Sequence, residues 1–180
     1  MSQSLQLASG ALDAIPQHIA VLDSSGQIVL TNAAWRRFAD SNGTPWQTVS
    51  EGANYIEACE RATGPSATGA ATVAAAFREL LAGTRDDFSM AYPCHSPEVQ
   101  RWFVMRMMRI PHREQLGVVT SHQEVTEWHL EELRRRTAEE QFGELFAGAP
   151  DGMVLVDATG SIVLFNRKAE QLFGRSRQDT

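Results

Sequence analysis

Two stretches of the chain share one pattern of apolar runs around a polar turn. Residues 16–32 read PQHIAVLDSSGQIVLTN and residues 150–166 read PDGMVLVDATGSIVLFN; they align without a gap at an offset of 134 and are identical at seven positions. In each stretch a turn containing glycine separates two short β-branched runs, and glycine adopts the positive φ that a tight hairpin needs. The first stretch therefore predicts a hairpin of residues 18–23 and 27–31. Its repetition at this distance predicts tandem domains.

Apolar residues at helical spacing predict further elements. The first is a narrow stripe ended by a proline: Leu5, Ala8, Leu12, Ile15 and Pro16. Such a stripe is typical of a short helix that packs on its own domain or on a second copy. Asn32 stands where an N-cap belongs, before a helix over residues 33–39. Short helical turns are expected within residues 53–62, and a longer helix over residues 70–82 that stops at Gly83.

Alternating side chains predict three strands, over residues 87–94, 101–110 and 115–125. In the middle strand both alternating sets are largely apolar, so helices are expected over both faces of an antiparallel sheet. Arg106 is the charged residue at the centre of this strand. It either faces a cavity, where its guanidinium would bind a carboxylate or phosphate, or faces outward and pairs with a glutamate on a covering helix.

A long helix is predicted over residues 126–147. Glu131–Arg135 and Glu132–Arg136 are spaced four residues apart in the favourable orientation. Leu130 opens an apolar stripe that drifts around the helix, which is typical of a connector with some coiled-coil character.

Composition narrows the function classes. The chain has 180 residues, 43% of them hydrophobic and 21% charged, with a net charge of −6, which argues against binding to nucleic acid or to an anionic membrane. No apolar run reaches the roughly 18 residues of a membrane helix. Cys59 and Cys94 have no disulfide-framework spacing, so a cytoplasmic protein with reduced thiols is expected.

The order of these elements resembles the PAS family of sensory domains. The residues that carry the resemblance are Ile19-Ala20-Val21-Leu22-Asp23, Gly26, Ile28-Val29, Asn32, Gly52-Ala53-Asn54-Tyr55, Arg101-Trp102-Phe103 and Glu124-Val125-Thr126-Glu127. The last of these is similar to the family's Asp-Ile-Thr signature, with Glu in place of Asp. The resemblance implies an α+β fold: a five-stranded antiparallel sheet with helices on one face, followed by a long connector helix and a partial second PAS unit.

The expected domain organisation follows from the resemblance and the repeat. It comprises an N-terminal helix (1–16), a PAS domain (17–125), a helical connector (126–147) and the opening part of a second PAS domain (148–180). An isolated hairpin is marginal in water, so residues 148–180 are expected to be mobile or to borrow a partner surface. The chain is expected to be a fragment of a longer receptor.

The resemblance implies a sensor or dimerisation module rather than an enzyme. Candidate residues for a small-ligand pocket are Phe77, Met90, Tyr92, Phe103, Met105, Arg106 and His122. Glu124 and Thr126 are expected to relay a change to the connector, and then to a histidine kinase or diguanylate cyclase outside this chain. A homodimer is expected to pair through Leu5, Leu12, Ile15, Leu130 and Leu133. No catalytic or metal site is expected.

Two alternative functions remain open from the sequence. One is a haem- or flavin-bearing redox or gas sensor, and the candidate axial ligands are His18, His95, His112, His122 and His129. The stretch that leads to Cys59 does not match the flavin-adduct motif of light-sensing PAS domains. The other alternative is a purely structural dimerisation module with a filled core.

Overall fold

The computed structural model describes residues 3–41, 50–62, 69–95, 98–110 and 116–174. Its elements are, in chain order, α1 (Gln3–Asp13), β1 (His18–Asp23), β2 (Ile28–Thr31), α2 (Ala33–Ser41), α3 (Tyr55–Arg61), α4 (Ala70–Ala82), β3 (Asp87–Pro93), β4 (Trp102–Arg109), β5 (Leu116–Glu124), α5 (Thr126–Gly148), β6 (Val154–Val156), β7 (Ile162–Phe165) and α6 (Arg167–Phe173). The chain forms two compact units, Met1–Thr126 and Glu127–Thr180.

A five-stranded antiparallel sheet forms the centre of the first unit, with the strand order β2-β1-β5-β4-β3. The N-terminal hairpin lies beside the last strand, because β1 pairs with β5 from His18 opposite His122 to Asp23 opposite Leu116. The expected α+β architecture is therefore confirmed, and each strand of this sheet lies within two residues of its predicted bounds.

The hydrophobic core lies on one face of this sheet. Phe103, Met105 and Met107 alternate along β4 and are each at most 1% exposed. They belong to the buried face because successive side chains of a strand point to opposite sides. The helix α4 contributes the apolar residues that pack against this face: Val73, Ala74, Ala76, Phe77 and Leu80.

On the opposite face of the sheet, two expectations are wrong: the cover by helices and the position of Arg106. Arg106 is exposed and Met108 is 53% exposed, so the expectation of helices over both faces is wrong at these positions. Arg106 lies on this face, together with Val104 and Gln123. Strand alternation places Arg106 on the face opposite Phe103 and Met105, so the expectation that it lines the pocket under the helices is wrong. It borders a separate space of about 270 Å³ on the outer face of the sheet. Among the described residues it also forms no ion pair with a glutamate.

The side chain of Asn32 connects three elements of the first unit. Its Oδ1 accepts the backbone N–H of Ile19 and that of Trp35, both at 3.0 Å. Its amide nitrogen donates to the carbonyls of Leu12, Ile15 and Gln17 at 2.9–3.1 Å. Asn32 is fully buried. The predicted N-cap is thus confirmed, and the same side chain also holds the end of α1 against β1 and α2.

In the second unit, Asn166 repeats this arrangement. Its Oδ1 accepts the N–H groups of Met153 and Ala169 at 2.8 and 2.9 Å, and its amide donates to the carbonyls of Phe146 and Asp151 at 3.1 and 2.9 Å. Each partner is 134 residues after its counterpart in the first unit. The sequence repeat is therefore also a repeat of one hydrogen-bond network.

The second unit contains a hairpin and the helix α6, and they leave apolar side chains in water. Both strands of the hairpin and the end of α6 expose large residues by 44–66%: Leu155, Val156, Ile162, Val163, Leu172 and Phe173. The expected mobility of residues 148–180 stays a prediction, and Arg175, one position suited to test it by proteolysis, is outside the described residues.

Within α5, one of the two expected ion pairs forms. Arg136 Nε lies 2.8 Å from Glu132. Arg135 contacts Glu132 and Glu139 instead of Glu131, so the expected Glu131–Arg135 ion pair is wrong. Glu132 and Glu139 are three and four residues from Arg135, so both are within reach along one side of the helix.

Candidate ligand-binding cavity

A cavity of about 230 Å³ lies in the first unit between the sheet and the helices α2 and α3. Its wall consists almost entirely of rings: His18, Trp35, Phe38, Ala39, Tyr55, Tyr92, Phe103 and His122. These residues come from four strands and two helices. An engineered apolar cavity of about 150 Å³ in another protein binds benzene, so this cavity has room for a small ring compound.

The rings of the wall hold one another in place. His18 stacks on Phe38 with a centroid separation of 4.5 Å, and Phe38 meets Phe103 edge to face at 5.4 Å. Trp35 contacts the His122 ring edge to face at 5.5 Å. Offset and edge-to-face pairs of this kind add about 0.5–1.5 kcal/mol beyond their burial. The wall is therefore a packed aromatic framework.

His122 is the centre of a buried polar network in this wall. Its Nδ1 lies 2.6 Å from the Tyr92 hydroxyl. Its Nε2 lies 3.3 Å from the Tyr55 hydroxyl and 3.4 Å from Thr120 Oγ1. The Tyr55 hydroxyl in turn donates to Met105 Sδ at 3.5 Å. The polar atoms on this side of the cavity thus satisfy one another.

Burial keeps this network uncharged. Desolvation lowers the pKa of His122 to about 3, with a smaller contribution from His18. The pKa of His18 is also lowered, chiefly by burial. Burial raises the pKa of Tyr55 and that of Tyr92 well above the usual range. At neutral pH the cavity therefore presents two neutral imidazoles and two protonated phenols.

The structure brings together some of the expected pocket residues and separates others. Tyr92, Phe103 and His122 line the cavity, and Met105 contacts Tyr55 at its edge. Phe77 and Met90 instead pack in the adjacent hydrophobic core. That core lies between α4 and the inner sheet face. Phe77 also borders a separate space beside α3 and α4, together with Ile56 and Leu81.

Five lining residues were not among the expected residues of a small-ligand pocket, and of these only His18 had been considered, as a haem ligand: His18, Trp35, Phe38, Ala39 and Tyr55. Three of them carried a usable signal, because Trp35, Phe38 and Ala39 have the spacing of one helical face. Tyr55 had none, since a single tyrosine at the start of a short helix points to no particular partner.

The haem and flavin alternatives stay predictions. Both ring nitrogens of His122 are within hydrogen-bond distance of hydroxyl groups, and His18, the other histidine of the wall, stacks on Phe38. Burial raises the pKa of Cys59 to about 11, so it is a thiol at neutral pH. Among the described residues, no group of three or more His, Cys, Asp or Glu is placed to hold a metal ion. His112 is outside them.

The first turn of α5 is attached to β4. The backbone N–H of Trp102 donates to Thr126 Oγ1 at 3.0 Å, and the Thr126 hydroxyl donates to Glu124 Oε1 at 2.8 Å. Val125 N–H donates to the Trp102 carbonyl at 2.8 Å. The two expected relay residues thus lie together, directly beside the strand that carries Phe103.

The residues expected at a dimer interface differ in exposure. Leu12, Ile15 and Leu130 are half-buried, whereas Leu133 is 52% exposed. The side chain of Leu5 is outside the described part. Pairing through these residues stays a prediction. Within the described residues, no helix has the length and apolar character needed to cross a bilayer.

Comparison with known proteins agrees with this architecture. Sequence models of the PAS fold match residues 12–130 and residues 140–180. An uncharacterised 104.1 kDa protein of Rhodobacter capsulatus is 39% identical over 130 residues, which is 71% of this chain and 14% of that protein. The chain thus spans about one seventh of this relative.

One solved structure shows the same fold. The PAS domain of Bordetella pertussis BvgS has 19% identity and a TM-score of 0.51, and the match covers 78% of this chain and 98% of that domain. A PAS domain from Colwellia psychrerythraea has 12% identity and a TM-score of 0.49, with 69% and 99% covered. The sheet order, the repeated asparagine network and the two family matches lead to one conclusion: the chain belongs to the PAS fold family of sensory domains.

Proposed function

We propose that the first unit is a sensory module that binds a small molecule in the aromatic cavity and passes the resulting change to α5. The observation that carries this proposal is the position of two wall residues. Phe103 and His122 both line the cavity. His122 precedes Thr126 by four residues, and Phe103 directly follows Trp102, whose N–H donates to Thr126.

The contacts of β4 and β5 offer a short route for the signal. Phe103 pairs with Glu124 across the sheet, and the preceding residue, Trp102, binds Thr126 through its N–H. A ligand that shifts the Phe103 ring would strain this pairing. Such a ligand would favour whichever arrangement of the first turn of α5 fits the occupied cavity, because ligands act by shifting populations between existing states.

The proposed partners are a second copy of the chain and an output domain. No side chain of α5 is buried, and Leu133 is among its exposed apolar residues, which supports pairing of two such helices. The much larger size of the Rhodobacter capsulatus relative supports an output domain in a longer polypeptide. We expect that output to be a histidine kinase or a diguanylate cyclase.

A cavity-filling variant tests ligand binding. Ala39→Leu places three additional carbon atoms into the cavity wall, whereas Ala75→Leu makes the same change at an exposed position of α4. One-ring and two-ring compounds are screened by thermal shift against the unmodified chain. Compounds that raise its Tm should lose this effect in Ala39→Leu and keep it in Ala75→Leu. Equal shifts in both variants would exclude the cavity as the binding site.

A further inference from the structure

The chemistry of the cavity wall restricts the ligand further than its size does. We infer that the cavity binds an uncharged ring compound carrying a hydroxyl or carbonyl group, and that each of these two groups favours a different tautomer of His122. This inference builds on the proposed function, since it names the ligand class of the same cavity and the residues that distinguish its members.

The ring-shaped character of the ligand follows from the wall. Trp35, Tyr55, Tyr92 and Phe103 surround the space with flat apolar surfaces, and aromatic rings pack best against other rings in offset or edge-to-face contacts. The volume of about 230 Å³ exceeds the roughly 150 Å³ that accommodates benzene. A single ring with a polar substituent therefore fits.

The uncharged character follows from the absence of a counter-charge in the wall. None of the described lining residues is an Asp, Glu, Lys or Arg, and an ion without a partner is costly to remove from water. Aromatic faces attract cations, but the Arg101 guanidinium already lies over the Phe38 ring at 5.9 Å. On the other side, Glu124 acts electrostatically on His18, which disfavours an anion.

The polar group of the ligand would bind to the hydrogen-bond network of His122, which has two neutral forms. A neutral imidazole has one N–H and one acceptor nitrogen. In the first form Nε2 carries the proton and donates towards Tyr55 or Thr120, while the Tyr92 hydroxyl donates to Nδ1. The Tyr92 oxygen then has a lone pair free, which suits a ligand hydroxyl.

In the second form Nδ1 carries the proton and donates to the Tyr92 oxygen, while Nε2 accepts from the Thr120 hydroxyl, because the Tyr55 hydroxyl donates to Met105 Sδ. The Tyr92 hydroxyl proton is then free, which suits a ligand carbonyl. The two forms hold the same number of protons and the same charge, because Nε2 releases one proton to water and Nδ1 takes one up. A hydroxyl-bearing and a carbonyl-bearing ligand should therefore select opposite tautomers of His122.

Five one-ring probes test this inference on the whole 180-residue chain: toluene, phenol, acetophenone, benzoate and phenyltrimethylammonium. Affinities are measured by calorimetric titration. Benzoate and phenyltrimethylammonium should bind at least about tenfold more weakly than phenol, since burying an unpaired ion costs well over 1.4 kcal/mol. A charged probe that binds as tightly as phenol would overturn the inference.

The variant Tyr92→Phe tests whether the Tyr92 hydroxyl binds the polar group of the ligand. The ratio of phenol affinity to toluene affinity should fall by about fivefold in this variant, as expected for one neutral hydrogen bond. Dividing by the toluene affinity corrects for any change in the shape of the cavity. An unchanged ratio would contradict the assigned role of Tyr92.

Nitrogen-15 NMR of the His122 ring provides the second readout. The protonated nitrogen should be Nε2 with phenol bound and Nδ1 with acetophenone bound, and the same tautomer in both complexes would refute the inferred selection of tautomers. If none of the five probes binds, the proposed ligand function fails together with this inference. Binding of the probes without the expected selectivity overturns the inference alone.

Discussion

Replacement of Asn32 by alanine should destabilise the first unit far more than loss of an ordinary helix cap. The substitution removes both acceptor contacts, to the N–H groups of Ile19 and Trp35, and every contact of the amide to the carbonyls at the end of α1. An N-cap is worth about 1 kcal/mol. A buried N–H or C=O left without a partner costs about 1–3 kcal/mol more, so we expect a total loss of about 2–4 kcal/mol.

Asn54 provides the matched control. It caps α3 by accepting the Glu57 N–H at 2.9 Å, and its amide donates to the Ser25 carbonyl at 3.1 Å; both hydrogen bonds are exposed. Asn54→Ala should therefore cost only about 1 kcal/mol. Urea unfolding of the full chain, followed by tryptophan fluorescence and far-UV circular dichroism, gives the free energy of unfolding for both variants.

The isosteric variant Asn32→Asp separates shape from hydrogen bonding. It keeps the acceptor but replaces the amide donor with an oxygen that faces the carbonyls of Leu12, Ile15 and Gln17. It should therefore fail to restore stability at pH 7. If Asn32→Ala loses no more than Asn54→Ala, or if Asn32→Asp unfolds like the unmodified chain, the assigned role of this network is wrong.

Three further predictions concern stability and the relay. The pKa of His122 is about 3 in the folded state against 6.5 in the unfolded state, so the unfolded chain binds the extra proton and stability falls below pH 6.5. The loss should reach about 2 kcal/mol by pH 5 at 1.36 kcal/mol per unit, and His122→Gln should flatten this slope; a slope unchanged in the variant would show that another group titrates. Gly26→Ala should cost more than Gly52→Ala, because both glycines have positive φ (+85° and +93°) but only at Gly26 would a Cβ meet Ile56, at 2.8 Å; equal losses in thermal unfolding would argue against that contact. Glu124→Ala should leave the Tm and ligand affinity nearly unchanged but abolish any ligand-dependent change in amide exchange in the first turn of α5, and persistence of that change would argue against the relay.

Much of the secondary structure was evident from local patterns. Three of these patterns act within a few residues, and each was correct. Gly26 predicted the hairpin, Asn32 predicted the start of α2, and the alternation along β4 predicted which residues share a face. In β4, Phe103 and Met105 alternate with Val104 and Arg106. This alternation already placed Arg106 on the face opposite Phe103. The misleading feature was that the outward set includes apolar residues such as Met108, which is 53% exposed.

The cavity depended on contacts between residues far apart in the chain. Tyr55 and His122 are 67 residues apart, and Tyr92 and His122 are 30 apart; no local period links them. Phe77 and Met90 have the apolar character that a pocket needs, yet they pack in the hydrophobic core beside it. A pocket exists where packing leaves space, and that depends on the combined volumes of several elements.

The sequence by itself determined the hairpins, the capped helices, the strand alternation and the repeated unit, because turn chemistry and side-chain period are local properties. Only the tertiary structure decided which rings meet, where space remains between them, and that His122 stays neutral. Those properties depend on exclusion of water by side chains from six separate elements, and that exclusion arises only when the whole unit is folded.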